Sequence, residues 1–190
     1  MTSTPPASAQ VRRGRLILVG LFALFFGTVG AAGVLRFSGW QPPGSKVHGQ
    51  MLAPALDARS MLPTLQDGRD YAWNPPARTW RIVVAAPQDC GKPCATLVHD
   101  LDKVWQLFSH NADRVDILWM GALPAGAEAM PALRHVRDDD GLRALLPAPD
   151  DPAGVPVYVI DPNGFVILRY PPGTDPGWIR TDVSKLLKLM

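Results

Sequence analysis

The sequence predicts an α/β domain with a mixed central sheet, preceded by one membrane-spanning helix. Three observations lead to this prediction. An uncharged apolar run lies near the amino terminus, over residues 16–35. Beyond it, short runs rich in β-branched residues alternate with segments whose apolar residues recur at helical spacing. Two last apolar runs, joined by the turn sequence Asp161-Pro162-Asn163-Gly164, add an antiparallel pair to a sheet that otherwise has parallel neighbours.

Composition and charge exclude several classes of protein. Of the 190 residues, 47% are hydrophobic and 19% are charged, which excludes a disordered chain. The formal net charge of +2 arises near the apolar run, because Arg12, Arg13, Arg15 and Arg36 flank it and all seventeen acidic residues follow residue 56. The rest of the chain therefore has no basic surplus, and we expect no nucleic-acid partner.

The apolar run predicts a transmembrane anchor over residues 16–36, after a cytoplasmic tail of residues 1–15. Twenty uncharged residues span about 30 Å as a helix, enough to cross the hydrocarbon core of a bilayer. Three arginines precede the run and one follows it. Since basic residues stay in the cytoplasm, this predicts a bacterial inner-membrane protein with a periplasmic carboxyl-terminal domain. A cleaved signal peptide is the alternative, because residues 27–33 are rich in small side chains.

After the membrane segment, residues 37–60 are predicted as a tether and residues 61–190 as the folded domain. An Asp-Gly turn predicts a hairpin over residues 65–73. Two short runs of β-branched and other apolar residues, 79–86 and 115–120, predict buried strands.

A long helix is predicted between those two strands, with Pro93 at its first position. Its apolar residues at helical spacing are Leu97, Leu101, Val104, Trp105 and Phe108. The remaining predicted elements are a helix over 131–146, strands over 155–160 and 165–170, and a final helix capped by Asp175. The predicted order is therefore β-β-α-β-α-β-β-α.

Cys90 and Cys94 are the only cysteines and lie between the strand over 79–86 and the long helix. The carboxyl end of a central strand is where open α/β sheets place their sites. Spacing of four at a helix start puts the Cα atoms about 6 Å apart, within reach of a disulfide. The helix amino terminus and Lys92 stabilise a thiolate, which favours redox or soft-metal chemistry. A static disulfide is the alternative, although so short a loop gains little from closure.

The order of elements, the thiol pair and the closing sequence YVIDPNGFVILRY look like the thioredoxin superfamily. Within it, C-x-x-x-C resembles the Sco/SenC proteins, membrane-anchored copper chaperones and thiol reductases that help assemble the copper centre of cytochrome c oxidase. The resemblance implies a three-layer α/β/α domain over residues 61–190. In such a protein Cys90, which is more exposed before the helix, would be the attacking thiolate and Cys94 would resolve the mixed disulfide, with Lys92 and Pro93 in support. The resemblance also implies that Pro156 occupies the place of a cis-proline facing the thiols.

The sequence departs from that family at the copper site. The family's site has two cysteines and one histidine. Cys90 and Cys94 match the cysteines, but the histidine's place falls near Ala153. The four histidines lie elsewhere, at His48, His99, His110 and His135, and His135 is the best candidate among them for a replacement ligand. Binding of Cu(I) by the two thiolates stays open, whereas Cu(II) would also require nitrogen ligands.

These observations predict a periplasmic, membrane-anchored protein that assists cytochrome c oxidase assembly by thiol–disulfide exchange, with or without Cu(I) handling. Its predicted partners are membrane lipid and a cysteine-containing subunit of a respiratory oxidase. The missing histidine favours redox chemistry over copper handling. Two alternatives stay open: a general thiol–disulfide oxidoreductase acting on another periplasmic thiol protein, and a non-catalytic scaffold with a structural disulfide.

Overall fold

A computed structural model describes residues 7–38, 47–138 and 140–189. The chain divides into two compact units, Met1–Ser45 and Lys46–Met190. The first contains helix α1, Ala7–Phe37, which begins inside the predicted cytoplasmic tail. Within the described residues, the segment Arg12–Phe37 is the one helix long and apolar enough to cross a membrane, by length and composition. The predicted apolar helix is thus confirmed.

The second unit is built on a six-stranded mixed sheet, with strand order β1-β6-β5-β2-β3-β4. Parallel pairs join β2 to β3 and β3 to β4, and the other neighbours are antiparallel. The predicted mixed sheet is therefore confirmed. The strands are β1 Gln50–Asp57, β2 Trp80–Ala85, β3 Val115–Met120, β4 Leu133–Val136, β5 Val157–Ile160 and β6 Phe165–Tyr170.

Helices cover both faces of this sheet. They are α2 Gly91–Gln106, α3 Asp140–Leu145 and α4 Pro176–Leu187. Helices α2 and α4 share one buried cluster with alternate residues of the central strand β2, such as Ile82 and Val84. Helix α3 packs through Leu142 on the other face, in the cluster that holds Val83. Every residue of β2 is buried because both its faces are covered, as expected of a three-layer α/β/α domain.

The predicted tether over residues 37–60 is wrong from His48 onward. Strand β1 pairs antiparallel with β6 at the edge of the sheet. The backbone N–H groups of His48 and Gly49 donate to the buried carboxylate of Asp182 on α4. Residues 39–46, the remainder of the predicted tether after residue 38, lie outside the described residues.

The predicted helix over residues 131–146 is also wrong in its first half. Residues 133–136 form strand β4, and helix α3 begins only at Asp140. Residues 133–136 are a strand because β3 lies beside them and pairs with their backbone in parallel. The predicted hairpin over 65–73 is present only as a short one: the N–H of Leu65 donates to the carbonyl of Arg69, and Thr64 and Asp70 form an isolated antiparallel bridge.

Candidate active site

The two cysteines lie where the central strand β2 gives way to helix α2. Cys90 is the residue before the first turn of α2, and Cys94 is the fourth residue of the helix. Gly91 between them has φ +56°, a left-handed backbone that glycine adopts without steric cost. The Cys90 and Cys94 Cα atoms are 5.6 Å apart and the two sulfurs form a disulfide. The spacing predicted from the sequence is confirmed.

The two sulfur-bearing residues differ in their access to solvent. Cys94 is 1% exposed and belongs to the apolar cluster between the sheet and α2. Cys90 is only partly buried and lines two grooves on either side of the disulfide. An incoming sulfur therefore meets Cys90 first, and Cys94 is placed as the leaving or resolving group.

The first groove, of about 180 Å³, runs between Cys90, Cys94 and the residues after β3, Ala122 to Pro124. Gly121, which precedes these residues, has φ +91°, and its backbone lies against the Ala86 carbonyl. The second groove is larger, about 340 Å³, and has Cys90 and Pro93 on one side. Its opposite side is formed by residues 149–155, so a partner chain can approach the disulfide between two walls.

The segment 147–155, here called the acidic loop, forms that opposite wall and is held by two arginines. Arg143 on α3 donates to Asp150 Oδ1 at 2.6 Å, and Arg169 on β6 donates to Asp151 Oδ2 at 2.6 Å. Arg169 also donates to the Pro147 carbonyl oxygen at 3.1 Å. Both arginine side chains are largely buried, 15% and 10% exposed. The loop is thus fixed against the sheet.

The two carboxylates of this wall have different surroundings. Asp151 accepts from the N–H of Ala153 and from Arg169, and these hydrogen bonds, the first above all, lower the pKa of Asp151 below its ordinary value of 3.8. It therefore remains a carboxylate at neutral pH. The Asp150 side chain is 73% exposed and its carboxylate pairs with Arg143. The wall beside Cys90 is negatively charged at its solvent edge.

The three residues predicted to support the thiols differ in their position relative to Cys90. Lys92 is exposed in the first turn of α2. Pro93 lines the larger groove with Cys90, but it is the third residue of α2 and not the first, because Gly91 begins the helix. Pro156 is buried, and the Val155–Pro156 bond is trans, whereas Ala53–Pro54 is cis. The neighbouring Val155 lines the groove instead.

None of the four histidines is grouped with the cysteines. His135 lies on β4, with Nε2 3.0 Å from the Gly121 carbonyl oxygen. His48 pairs with Asp182, and His99 and His110 are exposed. Within residues 7–38, 47–138 and 140–189 there is no group of three His, Cys, Asp or Glu side chains that could hold a metal ion. The described donors thus do not fit a copper site of two cysteines and one histidine.

The family model described as "transmembrane-like, thioredoxin-like, C-terminal domain" matches residues 80–190. This stretch begins with β2 and contains the disulfide, the acidic loop and α4. The chain belongs to this family. The thioredoxin-like fold predicted from the order of elements is confirmed, and the family's description agrees with the apolar helix α1. A search of curated proteins finds no match.

Solved structures with this thioredoxin-like fold include Sco proteins. BsSco, a member of the Sco family of cytochrome c oxidase assembly proteins, is 12% identical, with 75% of this chain and 98% of that one covered and a TM-score of 0.51. Copper-bound ScoI from Arabidopsis thaliana is 12% identical, with 75% and 99% covered and a TM-score of 0.49. A thiol:disulfide interchange protein from Bacteroides sp. is 13% identical, with 74% and 90% covered and a TM-score of 0.47. These likenesses concern the fold.

Sequence reasoning missed the acidic loop and its two arginines. A signal was present, since Arg169 interrupts the apolar run FVILRY and is buried in a strand that packs on both faces. A buried arginine requires a carboxylate or several carbonyl partners. The nearest pair of adjacent acidic residues in the sequence is Asp150 and Asp151, just before β5. Asp151 supplies the carboxylate partner of Arg169.

Proposed function

We propose that the protein is a membrane-anchored thiol–disulfide oxidoreductase, with Cys90 and Cys94 as its reactive pair and its domain in the periplasm. The unequal exposure of the two cysteines carries the proposal. Cys90 opens onto two grooves, while Cys94 is buried beneath it. A disulfide that serves only as a staple does not need one sulfur at a groove. The periplasmic side is proposed because an oxidising compartment maintains such a pair.

The exchange has two steps in either direction. When the pair is reduced, the Cys90 thiolate attacks one sulfur of a partner disulfide, and the other partner sulfur leaves as a thiolate. The Cys94 thiolate then attacks Cys90, which restores the Cys90–Cys94 disulfide and releases the second partner thiol. Two electrons pass to the partner, and its two thiolates take up two protons. The amino end of α2 stabilises the thiolate at Cys90 before attack.

The partner we propose is a cysteine-bearing subunit of a respiratory oxidase. Support comes from the fold shared with BsSco, whose family assembles cytochrome c oxidase. No step of the proposal runs through copper, because the described donor set does not fit a site with a histidine. Delivery of Cu(I) by the two thiolates alone is the narrower version of the hypothesis.

The first experiment measures the reduction potential of the Cys90–Cys94 pair in glutathione buffers, with alkylation of the free thiols as the readout. We expect reversible two-electron exchange with a midpoint above about −300 mV, the range of exchanging disulfides. A midpoint below that value, or no exchange over hours, would show a structural disulfide and overturn the proposal. The Cys90→Ser, Cys94→Ser variant is the control for unspecific labelling.

The second experiment identifies the partner and the side of the membrane. A Cys94→Ala variant lacks the resolving thiol, so we expect Cys90 to remain in a mixed disulfide that mass spectrometry of the native membrane can identify. The Cys90→Ala variant, with only the buried thiol, should trap nothing. A membrane-impermeant maleimide added to intact spheroplasts should label reduced Cys90. Labelling only after lysis would place the domain in the cytoplasm.

A further inference from the structure

The acidic loop places a negative charge beside Cys90 that the exchange chemistry itself does not need. We propose that Asp150 selects partners whose reactive cysteine is flanked by lysine or arginine. This inference rests on the proposed thiol–disulfide exchange. It concerns the larger groove, which Cys90 and Asp150 line together.

The charge at this wall is not cancelled by its arginines. Arg143 is shared between two carboxylates, with Asp138 Oδ1 at 3.2 Å and Asp150 Oδ1 at 2.6 Å. One positive charge thus serves two negative ones, so the three side chains together carry a net negative charge, and Asp150 is the more exposed of the two carboxylates. Asp151 forms a balanced pair with Arg169 and is mostly covered. The excess charge therefore meets solvent at the mouth of the groove.

Other charges near Cys90 do not reverse this sign. Asp89 and Lys92 flank the disulfide in sequence, and both are exposed, so their charges oppose each other. Besides Asp150, the charged side chain that lines the larger groove is Asp151, and neither lysine nor arginine contributes to its lining within the described residues. A cationic side chain that enters this groove next to the partner cysteine thus finds carboxylate acceptors, and the charge of Lys92, which is outside the groove lining, is opposed by Asp89.

The wall is held in place before any partner arrives. The Pro147 carbonyl oxygen accepts from Arg169 Nε at 3.1 Å and from the Tyr158 hydroxyl at 2.9 Å. Arg143 also reaches the Ala86 carbonyl oxygen at 3.5 Å, at the start of residues 86–90, which join β2 to α2 and are here called the cysteine loop. Arg143 thus links Asp150 to the residue that precedes Pro87 of the groove, and the wall is ordered before binding, so little conformational entropy is lost when a partner binds.

Three small disulfides of similar size test this selection: cystamine, which is dicationic, bis(2-hydroxyethyl) disulfide, which is neutral, and dithiodiglycolate, which is dianionic. Each is mixed with the reduced protein, and oxidation of the Cys90–Cys94 pair is followed by stopped-flow fluorescence. The protein dithiol is oxidised, and each disulfide is reduced to two thiols. Each rate is divided by that of the same disulfide with 2-mercaptoethanol, which removes differences in intrinsic reactivity.

We expect the normalised rates to fall from cystamine to the neutral disulfide to dithiodiglycolate. In Asp150→Asn, the ratio of the cystamine rate to the dithiodiglycolate rate should drop by about two- to fourfold at low ionic strength, because one unit charge is removed near the reacting sulfur. Asp150→Glu should keep the ratio. Asp113→Asn removes the same charge from an exposed position in another part of the domain and should also keep it.

Two failures can be told apart. If none of the three disulfides reacts faster with the protein than with 2-mercaptoethanol, the proposed thiol–disulfide exchange itself fails. If all three react but the normalised rates are equal, or if Asp113→Asn lowers the ratio as much as Asp150→Asn, exchange stands and the selection by Asp150 is overturned. A ratio unchanged by added salt would likewise contradict an electrostatic cause.

Discussion

Gly121 and Ala86 approach each other so closely that a β-carbon at position 121 would collide with the Ala86 carbonyl group. This contact joins the end of β3 to the residue that opens the cysteine loop. The N–H of Ala86 also donates to the Met120 carbonyl oxygen at 2.9 Å. The position of the cysteine loop over the sheet thus depends on a residue that has no side chain.

Gly121→Ala should lower the free energy of unfolding by at least about 2 kcal/mol, since the substitution adds a left-handed backbone strain and a clash with backbone atoms. Urea unfolding followed by tryptophan fluorescence measures it. Gly126→Ala is the matched control, because Gly126 has φ +83° and a β-carbon added there would have no neighbour within 4 Å among the described residues. It should lose only about 1 kcal/mol. Equal losses would show that the Ala86 contact does not matter.

Arg81, on the central strand β2, should be essential for stability and not for redox chemistry. It is 1% exposed, donates to the Tyr71 hydroxyl and the Trp73 carbonyl, and reaches the carbonyl oxygens of Asp161 and Pro162 at 3.2 Å. Arg81→Met removes a donor from each of these acceptors, of which the Asp161 carbonyl keeps the N–H of Gly164, so we expect a loss of about 3 kcal/mol in urea unfolding.

The reduction potential of the Arg81→Met variant should stay unchanged where it folds, because Arg81 is near the amino end of β2 and the cysteines follow its carboxyl end. Arg78→Met, at an exposed position, is the control and should cost less than about 0.5 kcal/mol. A stability loss in both variants of the same size would mean that the buried network around Arg81 contributes nothing.

The elements that could be predicted are those with local signals. Residues 115–120 and 165–170 are strands with the predicted bounds, since each is a short apolar run ended by a turn or a change of period. Helix α4 begins after Asp175 as predicted, and the Asp175 carboxylate accepts from the N–H of Gly177 at 2.8 Å. The thiol pair could be located for the same reason, because its place after β2 can be inferred from neighbouring residues.

The elements that sequence reasoning missed depend on distant partners. Strand β1 has mostly exposed side chains and Pro54 in its middle, so it shows no alternation, and its pairing with β6 spans more than a hundred residues. The wall beside Cys90 needs Arg169 to meet Asp151, eighteen residues before it in the chain. Neither periodicity nor motif spacing carries such information, because it arises only when the sheet brings the segments together.

Acid should unfold the domain partly through Asp182. This carboxylate is fully buried, which raises its pKa, but the N–H groups of Gly49 and His48, the His48 ring and the Tyr170 hydroxyl outweigh burial and lower it below 3.8. Lys185 Nζ lies 3.4 Å from Asp182 Oδ1. A lowered folded pKa means that this stabilisation is present above pH 3.8, the unfolded value, and is lost as the pH falls through the folded pKa.

Urea midpoints measured between about pH 2 and pH 6 check this. The urea midpoint of the wild-type protein should decrease as the pH is lowered below 3.8. Asp182→Asn should have a lower urea midpoint than wild type near neutrality, and the two midpoints should converge in acid. Asp113→Asn, at an exposed position, should follow the wild-type curve. A constant gap between Asp182→Asn and wild type at every pH would show that ionisation of Asp182 does not contribute.

Copper binding should show that the site lacks a nitrogen ligand. Reduced protein offers two thiolates, which Cu(I) accepts, while Cu(II) prefers nitrogen ligands as well. We therefore expect no stable thiolate-to-Cu(II) absorption band in the wild-type protein. The sequence places the absent histidine near Ala153, which is exposed in the acidic loop and next to Gly154 and Val155 of the groove that Cys90 lines.

Ala153→His should therefore create the band, whereas Ala144→His, at an exposed position on α3, should not. Competition with a Cu(I) chelator separates the two oxidation states, because the wild type and Ala153→His should differ less for Cu(I) than for Cu(II). A strong Cu(II) band in the wild-type protein would mean that a donor other than the described residues completes the site. The redox proposal would then have to include the metal as cargo.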